Sequence, residues 1–244
     1  MPRLADRARL VLIPNYNSGT KLAETVRGAA RCWQPVWVVD DGSTDGSPDP
    51  VEAIGGVRLI RRAANGGKGA AVLDGLRAAE AEGFTHVLVM DGDGQHPAAA
   101  LGTFMALSAA HPEAMILGQP IFDASAPRAR VLGRRISNAL VRWLTGAAIG
   151  DALFGFRVYP LAPLRAVMAT SPHMRRYDFD AEAVVRLSWH GVQAINKPAP
   201  VRYFGRDEGG VSHFRYGRDN LLLARMFARL AVASLLRRVR PSRH

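Results

Sequence analysis

The chain has a single cysteine, Cys32, in 244 residues, which excludes an intrachain disulfide and any zinc site built on cysteine. Its seven histidines show no paired metal-ligand spacing. A reducing compartment, the cytoplasm, suits such a chain. There is no uncharged apolar run of about 18 residues, so no segment is predicted to span a bilayer by itself. The opening MPRLADRARLVLIPNYN offers only a five-residue apolar run, too short for the core of a signal peptide, which predicts a chain that is not exported. Acids are scarce: 21 against 32 Lys and Arg, for a net charge of +11. From Leu221 to His244 there are six arginines and no acid at all. This balance points to an anionic partner, whether nucleic acid, a phosphate-bearing metabolite or a membrane surface. No nucleic-acid motif and no aromatic-basic interleaving is present, so nucleic acid is not expected.

What is present suffices for a globular core, at 48% hydrophobic and 22% charged residues. Short apolar runs at 9–13, 36–39, 57–60, 86–90 and 115–117, bounded by turn residues, predict buried strands. Helices are predicted between them at 20–31, 67–82 and 97–110. In the second, Asn65 is placed to cap, Ala70, Leu73, Leu76 and Ala79 recur at helical spacing, and Gly83 can end it. The alternation predicts an α/β fold, a mostly parallel central sheet flanked by helices. Further helices are expected at 136–144, at 178–190 with Phe179, Ala183, Val184 and Leu187 on one face, and from 215 to Pro241. Trp33, Trp37, Trp143 and Trp189 stand in apolar company and read as core. The predicted organisation is one domain over 8–212 and a basic, weakly amphipathic C-terminal helix over 213–244. In that helix Arg225, Arg229, Arg240 and Arg243 gather on one side, and Leu223, Met226, Phe227 and Leu230 on the other.

In an open parallel sheet, ligands collect beyond the carboxyl ends of the strands. Three polar clusters fall there: Pro14-Asn15-Tyr16-Asn17, Asp40-Asp41-Gly42-Ser43 and Asp91-Gly92-Asp93-Gly94-Gln95-His96-Pro97. Asp91 and Asp93, one residue apart with glycines between and after, can meet one divalent cation, magnesium or manganese, whose other positions suit phosphates. Tyr16 offers an aromatic face for a base, and Asp41 can accept from a ribose hydroxyl or a base N–H. Counted from Asp41, the second cluster has the spacing of a calcium loop, but the segment before it is β-branched and aromatic and reads as a strand, not as the required helix. Asp40, Ser43 and Asp45 divide between ligand contacts and turn-shaping. Lys68, after two glycines, reads equally as a diphosphate contact and as the exposed lysine of a helix start. His96 reads as turn chemistry, Arg157 as an internal partner for Asp151, and His213 is open between the site and a structural role.

In order and spacing, Pro14-x-Tyr16-Asn17, Val39-Asp40-Asp41-Gly42-Ser43-x-Asp45, Asn65-x-Gly67-Lys68-Gly69, Met90-Asp91-Gly92-Asp93-Gly94-Gln95-His96-Pro97 and Asp151-x-x-x-Gly155-Phe156-Arg157 resemble family 2 glycosyltransferases of the polyprenyl-phosphate (dolichol-phosphate mannosyltransferase-like) type. The resemblance covers about 10–211 and departs at Ser18, where many relatives carry Glu. It implies the A-type glycosyltransferase fold and an inverting, metal-dependent transfer of a sugar from a nucleotide-diphospho-sugar. Asp91, Asp93 and Gln95 match the family's metal motif. Pro14, Tyr16, Asp41 and Lys68 match its nucleotide-binding positions, with Asn17, Gly42, Ser43 and Asp91 in the same set. Arg134, Arg135 and the Phe179-Asp180-x-Glu182 stretch match segments near the acceptor. The segment from Gly209 to Arg215 is similar to a bacterial subgroup associated with lipid modification, which suggests a lipid-linked or polyprenyl-phosphate acceptor.

A hydroxyl acceptor would need a carboxylate base, Asp180 first and Glu182 second. A phosphate acceptor would need only positioning, for which Arg134, Arg135, Arg175 and Arg176 are available. An anionic membrane surface is a further expected partner, reached by the C-terminal helix, with the protein cytoplasmic and peripheral on the inner face. The competing readings are a glycosyltransferase for a soluble hydroxyl acceptor and a basic nucleic-acid-binding protein.

Overall fold

The computed structural model describes residues 4–5, 8–122, 128–202, 204 and 216–239. In chain order they form β1 (Leu4–Ala5), β2 (Arg9–Asn15), α1 (Lys21–Cys32), β3 (Trp33–Gln34), β4 (Val36–Asp40), α2 (Asp49–Glu52), β5 (Val57–Arg61), α3 (Lys68–Ala81) and β6 (His86–Val89). A 3-10 turn (Ala98–Ala100), α4 (Leu101–Ala110), β7 (Met115–Ile121), α5 (Arg128–Thr145), β8 (Arg157–Pro160), α6 (Leu161–Thr170), α7 (Asp178–Trp189), β9 (Ala194–Pro200) and α8 (Tyr216–Val239) follow. Every strand and helix expected above overlaps one of these.

Leu10, Val11, Leu12 and Ile13 are each 0% exposed because β2 is a central strand of the seven-stranded sheet, ordered β5-β4-β2-β6-β8-β7-β9. Side chains alternate across a strand. Leu10 and Leu12 therefore enter one core with α3, α6 and α7, while Val11 and Ile13 enter the other with α1 and α4. A strand covered on both faces needs no polar residue, hence the unbroken apolar run. Burying one such side chain contributes about 1.5–3 kcal/mol.

Two strands of the seven-stranded sheet went unread. β8 carries a fully buried Arg157 and ends in a proline, and it runs antiparallel between β6 and β7. β9 contains Pro198 and Pro200 and is tolerated because it lies at the sheet edge beside β7. Other expectations are corrected. Asn65 does not cap α3; the cap position is Gly67, with φ of 98° and no side-chain hydrogen bond. Trp143 is 52% exposed, not core. Met226 and Leu230 of α8 are buried at 0% in the α3/α6/α7 core, with Leu223 and Phe227 packed against it, so that face of the helix is not available to a membrane. Arg240, Arg243 and His213 lie outside the described residues.

The loop between α6 and α7 docks on the start of α3. Ala70 donates its N–H to the carbonyl of Arg175 at 3.0 Å. A Cβ on Gly69 would stand 2.4 Å from the carbonyl oxygen of Met174 and 2.9 Å from Cβ of Phe179. Alanine normally favours a helix over glycine by about 1 kcal/mol. Here the opposing atom is backbone, and overpacking of this kind costs about 1–3 kcal/mol. Gly69→Ala is therefore expected to lower the urea midpoint, whereas Gly83→Ala, strained only by its own φ of 81° with open space around it, leaves the α3–α7 contact intact.

Candidate functional site

The ends of β2, β4 and β6 lie side by side, Asn15 opposite Asp40 in the register and Met90 bonded to Leu12. The loops leaving them therefore meet at one edge. At its centre is Lys68, the first residue of α3. Its ammonium lies 2.7 Å from Asp91 Oδ1 and 2.7 Å from Asp180 Oδ2, with the lysine side chain 11% exposed. Burial alone would strip the proton from this lysine, but Asp180 and Asp91 outweigh it and hold the ammonium more firmly charged than usual. Burial would likewise raise the Asp91 carboxyl, and the Lys68 charge holds it below the usual carboxylate range. Gly155 closes the other side: a Cβ there would sit 2.6 Å from Lys68 Nζ and 2.7 Å from Asp91 Oδ2.

Asp93 has no such cation among the described residues. Burial and then the neighbouring Asp91 charge push its carboxyl up to about 7. Its Oδ1 accepts from the N–H of Gln95 at 3.0 Å, so Gln95 enters the turn through its backbone. His96 is turn chemistry, as expected. Its Nδ1 accepts from the N–H of Asp91 at 2.9 Å, its ring packs edge-on to Phe154, and burial lowers it to about 4, keeping it neutral.

The second cluster is mostly scaffolding. Asp41 is 1% exposed, and its carboxylate accepts from the N–H groups of Gly66 and Gly67 at 2.9 and 2.7 Å and from Arg62. Asp41, expected as a nucleotide contact, here ties β4 to the loop before α3. Gly42 (φ 73°) lies against the backbone of Ala64. Ser43 Oγ receives the N–H of Asn17 at 2.9 Å and Asn15 Nδ2 at 3.1 Å, and Asn17 Oδ1 accepts from Thr44. Pro14 is buried within β2, leaving Tyr16, half-buried, as the aromatic at the strand end. Asn15 was missed. It is 2% exposed, its Nδ2 also reaches Asp40 at 3.0 Å, and its Oδ1 has no hydrogen-bond partner among the described residues. Its place in Pro-Asn-Tyr-Asn carried no signal separating it from the residues around it.

The sequence model of glycosyl transferase family 2 matches residues 10–169, more than half the chain. The chain belongs to glycosyl transferase family 2. Polyprenol monophosphomannose synthase of Mycolicibacterium smegmatis is 27% identical to this glycosyltransferase over 213 residues, covering 83% of this chain and 79% of the relative. Among solved structures, glucosyl-3-phosphoglycerate synthase from Mycobacterium tuberculosis, in complex with Mn2+, UDP and glucosyl-3-phosphoglycerate, superposes with a TM-score of 0.61 at 19% identity, over 95% of this chain and 80% of that one. TarS (residues 1–349) of S. aureus, in complex with UDP-GlcNAc, gives 0.60 at 19%, over 91% of this chain and 66% of that one. The fold is the A-type glycosyltransferase fold.

On the expected acceptor side, the structure separates residues that the sequence grouped. Asp180 joins the Lys68 cluster. Glu182, two residues on, does not: it is 0% exposed, and its carboxylate takes hydrogen bonds from Ser171 at 2.9 Å, Arg186 at 2.7 Å and Arg229 at 3.0 Å. Successive helix residues diverge by about 100°, so α7 points Asp180 at the site and Glu182 at α6 and α8. Arg134 is committed to Asp151 at 2.7 Å, and Arg135 is exposed. Asp151 also caps the turn through the N–H groups of Leu153 and Phe154. Arg157, 0% exposed, meets backbone carbonyls of Asp180 and Asp151 and the Tyr159 hydroxyl, so it is internal as expected but is not the partner of the Asp151 carboxylate. Tyr177 was also missed. At the cap of α7, its phenol is pushed up to about 12 by burial and then by the Asp91 charge.

Two outcomes follow. Glu182→Ala strands two arginines beside a buried hole and is expected to cost about 3 kcal/mol in chemical denaturation, while the folded fraction retains its ligand-induced thermal shift. For Asp93, the folded value of about 7 lies above the ordinary 3.8. The unfolded chain ionises first, so the folded state loses stability as pH rises through that window. Asp93→Asn is expected to raise Tm at pH 8 in EDTA and to leave it unchanged near pH 4.

Proposed function

We propose that this glycosyltransferase moves a sugar from a nucleotide-diphospho-sugar to a lipid-linked phosphate acceptor, with Asp91 and Asp93 holding a divalent metal. The observation that carries the acceptor half is the pairing of the carboxylates. Among the described residues around Lys68, Asp180 is matched to Lys68, Asp151 to Arg134, and Glu182 to Arg186 and Arg229. A hydroxyl nucleophile needs a base to take its proton. Each of these carboxylates would first have to surrender a cation. A phosphate brings an oxygen that is already ionised, and needs only to be positioned. The relative named polyprenol monophosphomannose synthase supports the same choice.

The residues fit a metal. Asp91 and Asp93 burden each other electrostatically, which is why the Asp93 carboxyl rises, and a cation between them would relieve that. No three His, Cys, Asp or Glu side chains cluster to hold an ion among the described residues, so its shell would be completed from outside the protein. That is the habit of magnesium and manganese with phosphate ligands, and the solved relatives with Mn2+ and UDP accord with it. When bound, the metal neutralises negative charge developing on the leaving diphosphate.

The chain's own residues do the rest. Lys68 keeps Asp91 ionised and adds a positive charge at the start of α3. Arg175 and Arg176, on the loop docked against that helix start, offer forks for phosphate. Tyr16 presents its ring to the base. No described helix is long and apolar enough to cross a membrane; in this reading the lipid is met peripherally, on the cytoplasmic face.

A second reading, transfer to a hydroxyl with Asp180 as base, is favoured by one observation: Lys68 is shared equally between Asp91 and Asp180, so a diphosphate could draw it off and free the latter. The test begins with thermal shifts against UDP-, GDP- and TDP-sugars with and without manganese. One sugar nucleotide at about 100 times its Kd should stabilise by about 2.7 kcal/mol. Asp91→Ala and Asp93→Ala should abolish the metal-dependent part, and a wild type that responds to no nucleotide sinks the proposal. Transfer to a short polyprenyl phosphate should then survive Asp180→Asn within about tenfold. A loss of about 10²–10⁴, with transfer only to hydroxyl acceptors, establishes the second reading instead.

A further inference from the structure

The apolar side chains expected to meet a membrane, on α8, belong to the core. Exposed ones remain on α8, at Leu221, Val232, Leu235 and Leu236, and lie also on α5, where Leu132 is 60% exposed, Ile136 58%, Leu140 38% and Trp143 52%. Spaced by four, four and three, they fall within an arc of roughly 80° at about 100° per residue. The opposite side of the helix, Asn138, Val141 and Leu144, is buried against the domain. Arg135 and Arg142, both exposed, flank the stripe on one side. By sequence α5 has five arginines and no acid. It follows β7, which runs parallel to β6 because both pair antiparallel with β8, so α5 begins at the sheet edge that carries Asp91.

We infer that this face of α5 is a docking surface for an anionic lipid bilayer, on which the helix lies flat. An apolar stripe beside arginines is what an interfacial helix uses: the stripe enters the acyl boundary while the guanidinium groups meet lipid phosphates. The charge pattern argues against the obvious competitor, a second copy of the chain. A two-fold interface sets the same patch against itself, and on α5 it would bring arginines together with no acid on that helix to offset them. The inference deepens the lipid-acceptor reading and rests on it for its purpose, but it can fail separately. Packed beside α5, α8 exposes Val232, Leu235 and Leu236, which serve as a control.

Flotation of the full chain with vesicles tests this. Wild type should float with vesicles of phosphatidylcholine containing 30% phosphatidylglycerol, float at least tenfold less with phosphatidylcholine alone, and release at high salt. The triple variant Leu132→Ser, Ile136→Ser, Leu140→Ser should bind the anionic vesicles at least tenfold more weakly while keeping the wild-type melting curve and nucleotide-induced shift. Val232→Ser with Leu236→Ser should float nearly as wild type does. As a readout independent of that variant, wild-type emission should shift to the blue on anionic vesicles, and Trp143→Phe should float yet lose the shift. A wild type that does not float, a triple variant that floats as well as wild type, or a wild-type dimer that the triple variant splits into monomers overturns the docking surface. Flotation without any transfer to polyprenyl phosphate leaves the docking surface standing and removes the acceptor reading.

Discussion

The Lys68 ammonium is the point on which the site hangs. It stands where three elements converge, the start of α3, the loop after β6 and the first turn of α7, and it is hydrogen-bonded to a carboxylate from each of the other two. Remove the positive charge and Asp91 and Asp180 are left as like charges in a poorly solvated space, which raises the free energy of bringing those elements together. Gly69 and Gly155 belong to the same constraint. Each allows a backbone or a polar atom to come within a distance that any side chain would forbid, one for the α7 loop against α3 and the other for the 151–157 turn against Lys68 and Asp91.

Around this point the interior charges are matched almost completely. Asp41 is held by two backbone N–H groups and Arg62, Asp151 by Arg134 and its own turn, and Glu182 by a serine and two arginines. Buried charges persist only when paired in this way. Asp93 has no cation partner among the described residues, with Asp91 as neighbour and a backbone donor from Gln95. A residue that departs from the electrostatic consistency of everything around it is where an external ligand can act.

The fold was largely legible because its strands are buried on both faces and so write themselves as short apolar runs. β8 and β9 were illegible for the converse reason: Arg157 is charged but satisfied by carbonyls that only the folded chain supplies, and prolines are permitted in β9 by its edge position. The site was legible as a set of loops at one edge, less so as roles. Asp41 and Asp180 are both acids in a motif. Only the contacts show that one is closed off by Gly66, Gly67 and Arg62 while the other faces Lys68. Glu182 was grouped with Asp180 by its two-residue spacing, and helical geometry sends them in different directions. Tyr177 and Asn15 had no pattern of their own, since nothing in a local window says which neighbour a loop residue will meet.

The net charge of +11 also changes meaning once the structure is considered. As a total it is compatible with nucleic acid, phosphate ligands or lipid. Distributed over the fold, it divides. Five of the acids are taken up internally, at Asp41, Asp91, Asp151, Asp180 and Glu182, each against a cation of the same domain. Part of the surplus sits on α5, which has five arginines and no acid of its own. On α5 it stands beside exposed leucine, isoleucine and tryptophan. A nucleic-acid surface gains little from such side chains, whereas a bilayer has a place for both the apolar stripe and the arginines. On the proposed reading the two halves of the chemistry are spatially ordered: paired charge where a small anionic donor would be held and released, and arginines with apolar surface where an amphiphilic acceptor would be approached.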